Sequence, residues 1–165
     1  MNYSQSYQTD ILNGKGVRNV LFVSGCSHGC HGCYNESTWN PKSGVPFTKE
    51  VEDQIIRDLK DTRIIRDGLT LTGGDPLYHR NLHDVTRIVE RVRKECPDKT
   101  IWMWTGYTMP ELEAMRDHNQ ETSDRYHLAM MVDVLVDGKF VQELADPSLK
   151  FRGSSNQNII EIKNL

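Results

Sequence analysis

Short apolar runs alternate along the chain with segments whose apolar residues recur at helical spacing. The runs are rich in β-branched and aromatic side chains, which is typical of buried strands; they cover residues 20–23, 69–72, 100–106, 132–138 and 158–163. The helical spacing predicts one helix from Thr48 and a second around residues 82–92. Thr108 and Glu111 have the spacing of a capping box at the start of a third, shorter helix.

Strands that alternate with helices of about a dozen residues predict βαβ units, a parallel sheet and therefore an α/β fold class. A closed eightfold barrel needs about 250 residues, whereas this chain has 165. We therefore expect a single domain over residues 1–165 that forms an open, incomplete βα barrel. Residues 1–16 are expected to form an edge strand or arm with a turn at Asn13-Gly14. Residues 117–127 are polar and show no pattern that assigns them to a helix or a strand.

Composition narrows the class of protein. The net charge is −3 and the chain has no long basic run, which argues against a nucleic-acid surface. No apolar segment approaches the length of a membrane span, and the N-terminus lacks the basic and then apolar order of a signal peptide. Clustered cysteines without an export signal indicate the reducing cytoplasm.

Three of the four cysteines lie in one loop, residues 26–33, directly after the first core strand; they are Cys26, Cys30 and Cys33. Glycines between them allow a tight loop whose sulfurs point at a common centre. Three thiolates without a fourth nearby suit an iron–sulfur cluster that keeps one iron free of protein. Cys96 lies at a predicted helix end on the opposite side of the sheet, so we interpret it as a buried or idle thiol.

Two other chemistries remain as alternatives for the cysteine loop. A structural zinc site needs a fourth ligand, and His28 or His31 would have to bend back to supply it. Redox-active or inert thiols are also compatible with the pattern. A disulfide framework is a poor fit, because disulfide cysteines in small secreted chains are spread along the sequence.

Loops after several strands are expected to converge on this cysteine loop. In parallel α/β sheets, ligands bind beyond the carboxyl ends of the strands. Four loops follow predicted strands with glycine or polar groups; they cover residues 26–33, 73–76, 105–107 and 137–139. The Gly73-Gly74-Asp75 turn is either a plain strand-to-helix turn or a place where bare backbone contacts a ligand. Thr105 is a further ligand candidate at a strand end.

The spacing of the three cysteines, followed by an aromatic residue, closely resembles the cluster motif of the radical S-adenosylmethionine (SAM) enzymes. The resemblance implies a 4Fe–4S cluster whose open, non-cysteine iron chelates the amino and carboxylate groups of SAM and cleaves SAM to a 5′-deoxyadenosyl radical. It also implies that the Gly-Gly-Asp turn contacts the SAM amino group, although the family often has Glu at the position of Asp75. Tyr34 is expected to pack on the adenine, and Lys139 either pairs with the SAM carboxylate or is a solvated surface lysine. The full set of predicted SAM contacts is Gly32, Cys33, Tyr34, Gly73, Gly74, Asp75, Thr105 and Lys139.

Further segments extend the resemblance almost from end to end; they cover residues 22–26, 33–39, 71–77, 104–107, 134–140 and 151–157. Together they resemble the family of anaerobic ribonucleoside-triphosphate reductase activases. The resemblance implies that the SAM-derived radical removes a Cα hydrogen from one glycine near the C-terminus of the large reductase subunit, leaving a glycyl radical.

The same resemblance suggests the partners of the chain. Reduced flavodoxin or a similar donor is expected to supply the electron, and residues 151–157 are a candidate segment for docking the reductase. Two alternatives remain: activation of another glycyl-radical enzyme such as pyruvate formate-lyase, and a zinc-stabilised binding module without catalysis.

Overall fold

A computed structural model describes residues 1–164, so Leu165, the last residue of the expected domain, lies outside the described residues. The strands in this part of the chain are β1 (Asn2–Asp10), β2 (Arg18–Val23), β3 (Val45–Pro46), β4 (Gly68–Gly73), β5 (Thr100–Trp104), β6 (Val134–Asp137) and β7 (Asn158–Glu161). The α-helices are α1 (Lys49–Lys60), α2 (Leu82–Glu95), α3 (Met109–Met115) and α4 (Gln120–Met130). None of the described helices is both long and apolar enough to cross a bilayer.

The strands form one open sheet in the order β3-β1-β2-β4-β5-β6-β7. Its central strands β2, β4, β5 and β6 run parallel, as the alternation of strands and helices predicts. The flanking strands are antiparallel, since β1 pairs with β2 and β3, and β7 pairs with β6. The expected parallel sheet is therefore correct at its centre and wrong at its flanks, because a loop over residues 11–17 turns the chain back from β1 to β2 and no α-helix crosses over between β6 and β7.

The helices pack on one face of the sheet. A row of fully buried side chains crosses the parallel strands on this face, in register from one strand to the next: Leu21, Leu71, Met103 and Leu135. Buried apolar residues of all four helices belong to the same cluster. The opposite face carries a smaller apolar cluster around Trp102.

Capping sequences explain where two of the helices begin. The predicted capping box precedes α3: the Thr108 hydroxyl accepts from the N–H of Glu111, and the Glu111 carboxylate accepts from the N–H of Thr108. Helix α4 lies in the stretch that the sequence left unassigned, and a second capping box formed by Asn119 and Thr122 starts it. Only three of its residues are buried, so its apolar face is too narrow to produce a periodic pattern.

Arg18 closes the amino end of the parallel strands. It is fully buried, and its guanidinium donates to the hydroxyl of Thr70 at 2.7 Å and to the carbonyl oxygens of Leu69 and Thr100, each at 2.8 Å. The same guanidinium lies over the ring of Trp102. Burial lowers the pKa of Arg18 to about 10, because desolvation disfavours the cation. The hydrogen bonds therefore stabilise a charge that would otherwise be costly inside the protein.

We expect Arg18→Lys to destabilise the fold, because one ammonium group cannot replace the planar guanidinium, which donates to five acceptor oxygens. Each buried acceptor left without its donor should cost about 1–3 kcal/mol of unfolding free energy. Urea unfolding followed by circular dichroism measures the loss. Arg63→Lys, in an exposed ion pair with Asp61, is the matched control and should change the free energy by less than about 0.5 kcal/mol. Equal stability of the two variants would contradict this role of Arg18.

Candidate cluster and cofactor site

The carboxyl ends of the parallel strands meet at one edge of the sheet, where the loops that follow them surround a cavity of about 430 Å³. All four loops that were predicted to share this edge contribute to the cavity wall. The segment that begins at Phe151 adds a further wall. Ligand pockets have volumes of about 300–1,000 Å³, so this cavity is large enough for a cofactor.

The cysteine loop forms one side of the cavity. It is anchored where it leaves β2, because the N–H of Gly25 donates to the carbonyl of Thr38 at 2.7 Å. Gly29 and Gly32 have positive φ angles of 62° and 71° and make the tight turns that the sequence predicts between the cysteines. The three loop cysteines are free thiols of intermediate exposure that line the cavity: Cys26, Cys30 and Cys33.

The protein environment acts on these thiols in two opposing ways. Burial raises the pKa of Cys26 to about 11 and also raises the pKa of Cys30, because the thiolate is poorly solvated there. The backbone N–H groups of His28 and Phe140 lower these values by donating to the sulfurs of Cys26 and Cys30, respectively. Hydrogen bonds of this kind also tune the potential of a cluster bound through the same sulfurs.

Asp75, in the Gly-Gly-Asp turn after β4, joins three of the loops. Its Oδ2 accepts from His28 Nε2 at 2.5 Å, from the N–H of Gly106 at 3.1 Å and from the hydroxyl of Thr105 at 3.0 Å. Its Oδ1 accepts from the N–H of Leu77 at 2.8 Å. A carboxylate offers about four acceptor positions, so a contact between Asp75 and the amino group of SAM would have to share an oxygen. That contact remains a prediction.

Gly73 and Gly74 line the cavity, and packing alone requires glycine at both positions. Gly73 has a φ of 100°, and a Cβ there would lie 2.8 Å from the backbone of Phe22. A Cβ on Gly74 would lie 2.5 Å from the carbonyl oxygen of Gly25. The close approach of β2 and β4 therefore explains both glycines without a ligand, and their contact with SAM remains a prediction.

The other predicted SAM contacts differ in where they lie. Tyr34 and Lys139 are exposed residues of the cavity wall, and the Tyr34 ring centroid is 5.2 Å from that of Phe140. Gly32 is not among the residues of the described cavity wall. A Cβ on Gly32 would instead meet the side chain of Gln142 at 2.6 Å.

The segment that was predicted to dock the reductase, residues 151–157, is also part of the cavity wall. Phe151 has a left-handed backbone with a φ of 59°, and its carbonyl accepts from the indole N–H of Trp104 at 3.0 Å. The side chain of Gln157 donates to the carbonyl of Gly138 at 2.8 Å and so joins the segment to the loop after β6. Sequence reasoning missed this inward role, because a polar segment without periodicity carries no signal for it. Docking of the reductase remains a prediction for these residues.

Cys96 lies away from this cavity, as expected. It caps the C-terminal end of α2 and is 2% exposed. It lines a separate cavity of about 400 Å³ together with Leu59 and Lys60 of α1. Its interpretation as a buried thiol is confirmed.

Comparison with known proteins identifies the family. A family model described as a 4Fe-4S single cluster domain matches residues 12–160. An anaerobic ribonucleoside-triphosphate reductase-activating protein of Escherichia coli (strain K12) is 55% identical over 163 residues, which cover 99% of this chain and 100% of that protein. The chain belongs to the family of anaerobic ribonucleoside-triphosphate reductase-activating proteins. Relatives with the same description in Vibrio cholerae and Enterobacteria phage T4 are 57% and 41% identical, each over 96% of this chain and over 97% and 93% of their own lengths.

The donor set fits the cluster that the family model describes, because three free thiols from one loop line the same cavity. That these three cysteines hold the cluster remains a prediction. The imidazole of His28 is bonded to Asp75, and His31 is exposed, so neither bends back as the zinc alternative requires.

We expect Asp75→Asn to lower the free energy of unfolding by about 1–3 kcal/mol, because the amide NH₂ would face a donor whichever way it is turned. Urea unfolding measures the change. Asp146→Asn is a matched control, since this exposed residue keeps the carbonyl oxygen that accepts from the N–H of Ser148. Its effect should stay below about 0.5 kcal/mol. If the Asp75 variant is as stable as the Asp146 variant, the carboxylate does not hold the loops together.

Proposed function

We propose that this protein activates an anaerobic ribonucleoside-triphosphate reductase by producing a glycyl radical near the C-terminus of the large reductase subunit. The observation that carries the proposal is that the three-cysteine loop and the Gly-Gly-Asp turn share one cavity at the carboxyl edge of the parallel strands. The relatives supply the partner, since they are named for activating this reductase.

The loop cysteines Cys26, Cys30 and Cys33 would hold a 4Fe–4S cluster and leave one iron open to the amino and carboxylate groups of SAM. When bound, the cluster would pass one electron to the sulfonium of SAM, which splits into methionine and a 5′-deoxyadenosyl radical that removes the glycine Cα hydrogen. Reduced flavodoxin or a similar protein is the expected electron donor. The protein itself would bind and orient these groups and exclude competing reaction partners of the radical.

Residues of the cavity wall would orient SAM. The exposed ring of Tyr34 lies beside the last cysteine and would pack on the adenine. Lys139, on the same wall, would pair with the SAM carboxylate. The backbone of Gly73 and Gly74 would approach the amino group, because neither residue has a side chain to block it. Thr105, buried against Asp75, would hold that wall in place.

The open form of the site suits a substrate that is part of another protein. Leu12 and Tyr34 line the cavity although they are 76% and 75% exposed, so the mouth is wide on that side. A glycine in an extended segment can enter such a mouth, because its Cα carries no side chain. We interpret the open sheet as an incomplete radical SAM barrel in the reducing cytoplasm, with the partner covering its open side.

The function is tested by mixing the anaerobically reconstituted protein with SAM, a reductant and the large reductase subunit. Electron paramagnetic resonance should show a glycyl radical on the reductase and none on pyruvate formate-lyase treated in the same way. A radical on pyruvate formate-lyase alone would favour the alternative activase. Colourless protein with one zinc and no iron would instead support the non-catalytic module.

Alanine at Cys26, Cys30 or Cys33 is expected to abolish cleavage of SAM to 5′-deoxyadenosine, because each thiolate holds one iron. Chromatography of the products measures the cleavage, and iron analysis should show loss of the cluster. Cys96→Ala is the matched control and should keep both iron and activity, since this thiol lies in the other cavity. Full cleavage by the Cys30 variant would refute the cluster assignment.

A further inference from the structure

The side chain of His28, in the cysteine loop, reaches the hydrogen-bond network around Asp75, Thr105 and Gly106. It lies between Cys26 and Cys30, and its side chain is only 8% exposed, whereas Ser27 and Gly29 on either side are exposed. A buried imidazole in an exposed loop needs partners that hold it there.

The partners of His28 come from the loops after β4 and β5. Its Nε2 lies 2.5 Å from Asp75 Oδ2, and it must be the donor because a carboxylate only accepts. The imidazole and the ring of Tyr107 meet edge to face with centroids 4.6 Å apart. Gly106 lies so close that a Cβ there would be 2.4 Å from the imidazole Cδ2. The ring therefore fills a slot that only glycine at position 106 leaves open.

His28 is two residues from Cys26 and two residues from Cys30, so a short stretch of main chain ties its imidazole to two of the three sulfurs. The side chain of the same residue is bonded to the opposite wall of the cavity through Asp75. A shift of the imidazole would move the cysteine loop relative to the loops at Asp75 and Gly106.

We propose that His28 is a positioning residue that sets the distance between the cluster and SAM by clamping the cysteine loop to Asp75 and Gly106. This inference rests on the proposed function. In this role His28 acts through Asp75 and Gly106, and not as an iron ligand or a SAM contact. The requirement for it is geometric: the open iron and the sulfonium must meet closely, and a misplacement of about 1 Å can cost about 100-fold in rate.

The experiment compares wild-type protein with His28→Ala, His28→Gln and His31→Ala, all reconstituted anaerobically. His31 lies in the same loop but is exposed, so its variant is the matched control. Iron analysis reports whether the cluster is held. A titration of the reduced cluster with SAM, followed by electron paramagnetic resonance, reports binding at the open iron independently of turnover. Formation of 5′-deoxyadenosine at saturating SAM reports the rate.

We expect His28→Ala to keep its iron, because the three cysteines remain. The SAM concentration at the midpoint of the electron paramagnetic resonance titration should rise about 10- to 100-fold relative to wild type, and the rate of SAM cleavage should fall by a similar factor. His28→Gln should recover most of both, since its amide N–H can still reach Asp75. The His31 variant should match wild type.

Gly106→Ala gives an independent test through the steric contact. Its methyl group should displace the imidazole and so reproduce the defect of His28→Ala. In the double variant that combines Gly106→Ala with His28→Ala the ring is absent, so Gly106→Ala should add little further loss of SAM affinity or cleavage rate. Fully additive losses would show that Gly106 acts without His28 and would contradict the clamp.

Two other results would overturn the inference. His28→Ala with wild-type SAM titration and rate would show that the imidazole positions nothing, and loss of iron from this variant would show a role in holding the cluster instead. Failure of the proposed function is distinguishable from both, because the wild-type protein would then show no spectral response to SAM.

Discussion

Four strands at the centre of the sheet end at the same edge, because parallel neighbours are joined by crossovers that return the chain before each new strand begins. Loops far apart in the sequence therefore meet around one cavity. The buried row that runs from Leu21 to Leu135 fixes the register between these strands. A slip of one residue would reverse the faces of a strand and move its loop out of the site. The geometry of the site is thus set by apolar packing on the helical face of the sheet.

Hydrogen bonds between polar groups fix the final positions of the loops that the parallel strands bring to one edge. A buried carboxylate is stable only when its oxygens are hydrogen-bonded, and Asp75 obtains its donors from the cysteine loop, from its own turn and from the loop after β5. The hydrogen bonds of Asp75 therefore fix the relative positions of three loops, which the parallel strands alone bring only approximately together. The same side chain was expected to contact SAM directly, and its most evident role in the structure is to hold the walls of the cavity.

The sequence was sufficient for much of this arrangement. The central strands, the first helices, the capping box at Thr108 and the convergence of four loops follow from periodicity, turn residues and the rule for parallel sheets. Helix α4 was missed because its few buried residues leave no apolar stripe. The direction of β7 was missed because strand residues look the same whichever way the strand runs. The bond between His28 and Asp75 joins residues 47 positions apart, and no local pattern encodes it.

The two ends of the parallel strands have different chemistry. Arg18 and its acceptors lie where β2 begins, and the cysteine loop lies where it ends, about 16 Å away over five steps of strand. Energetic effects at such a separation usually add independently. Laboratory evolution could therefore raise thermal stability through substitutions at the amino end of the parallel strands while leaving the redox properties of the cysteine loop unchanged. A gain in stability at one end need not lower activity at the other.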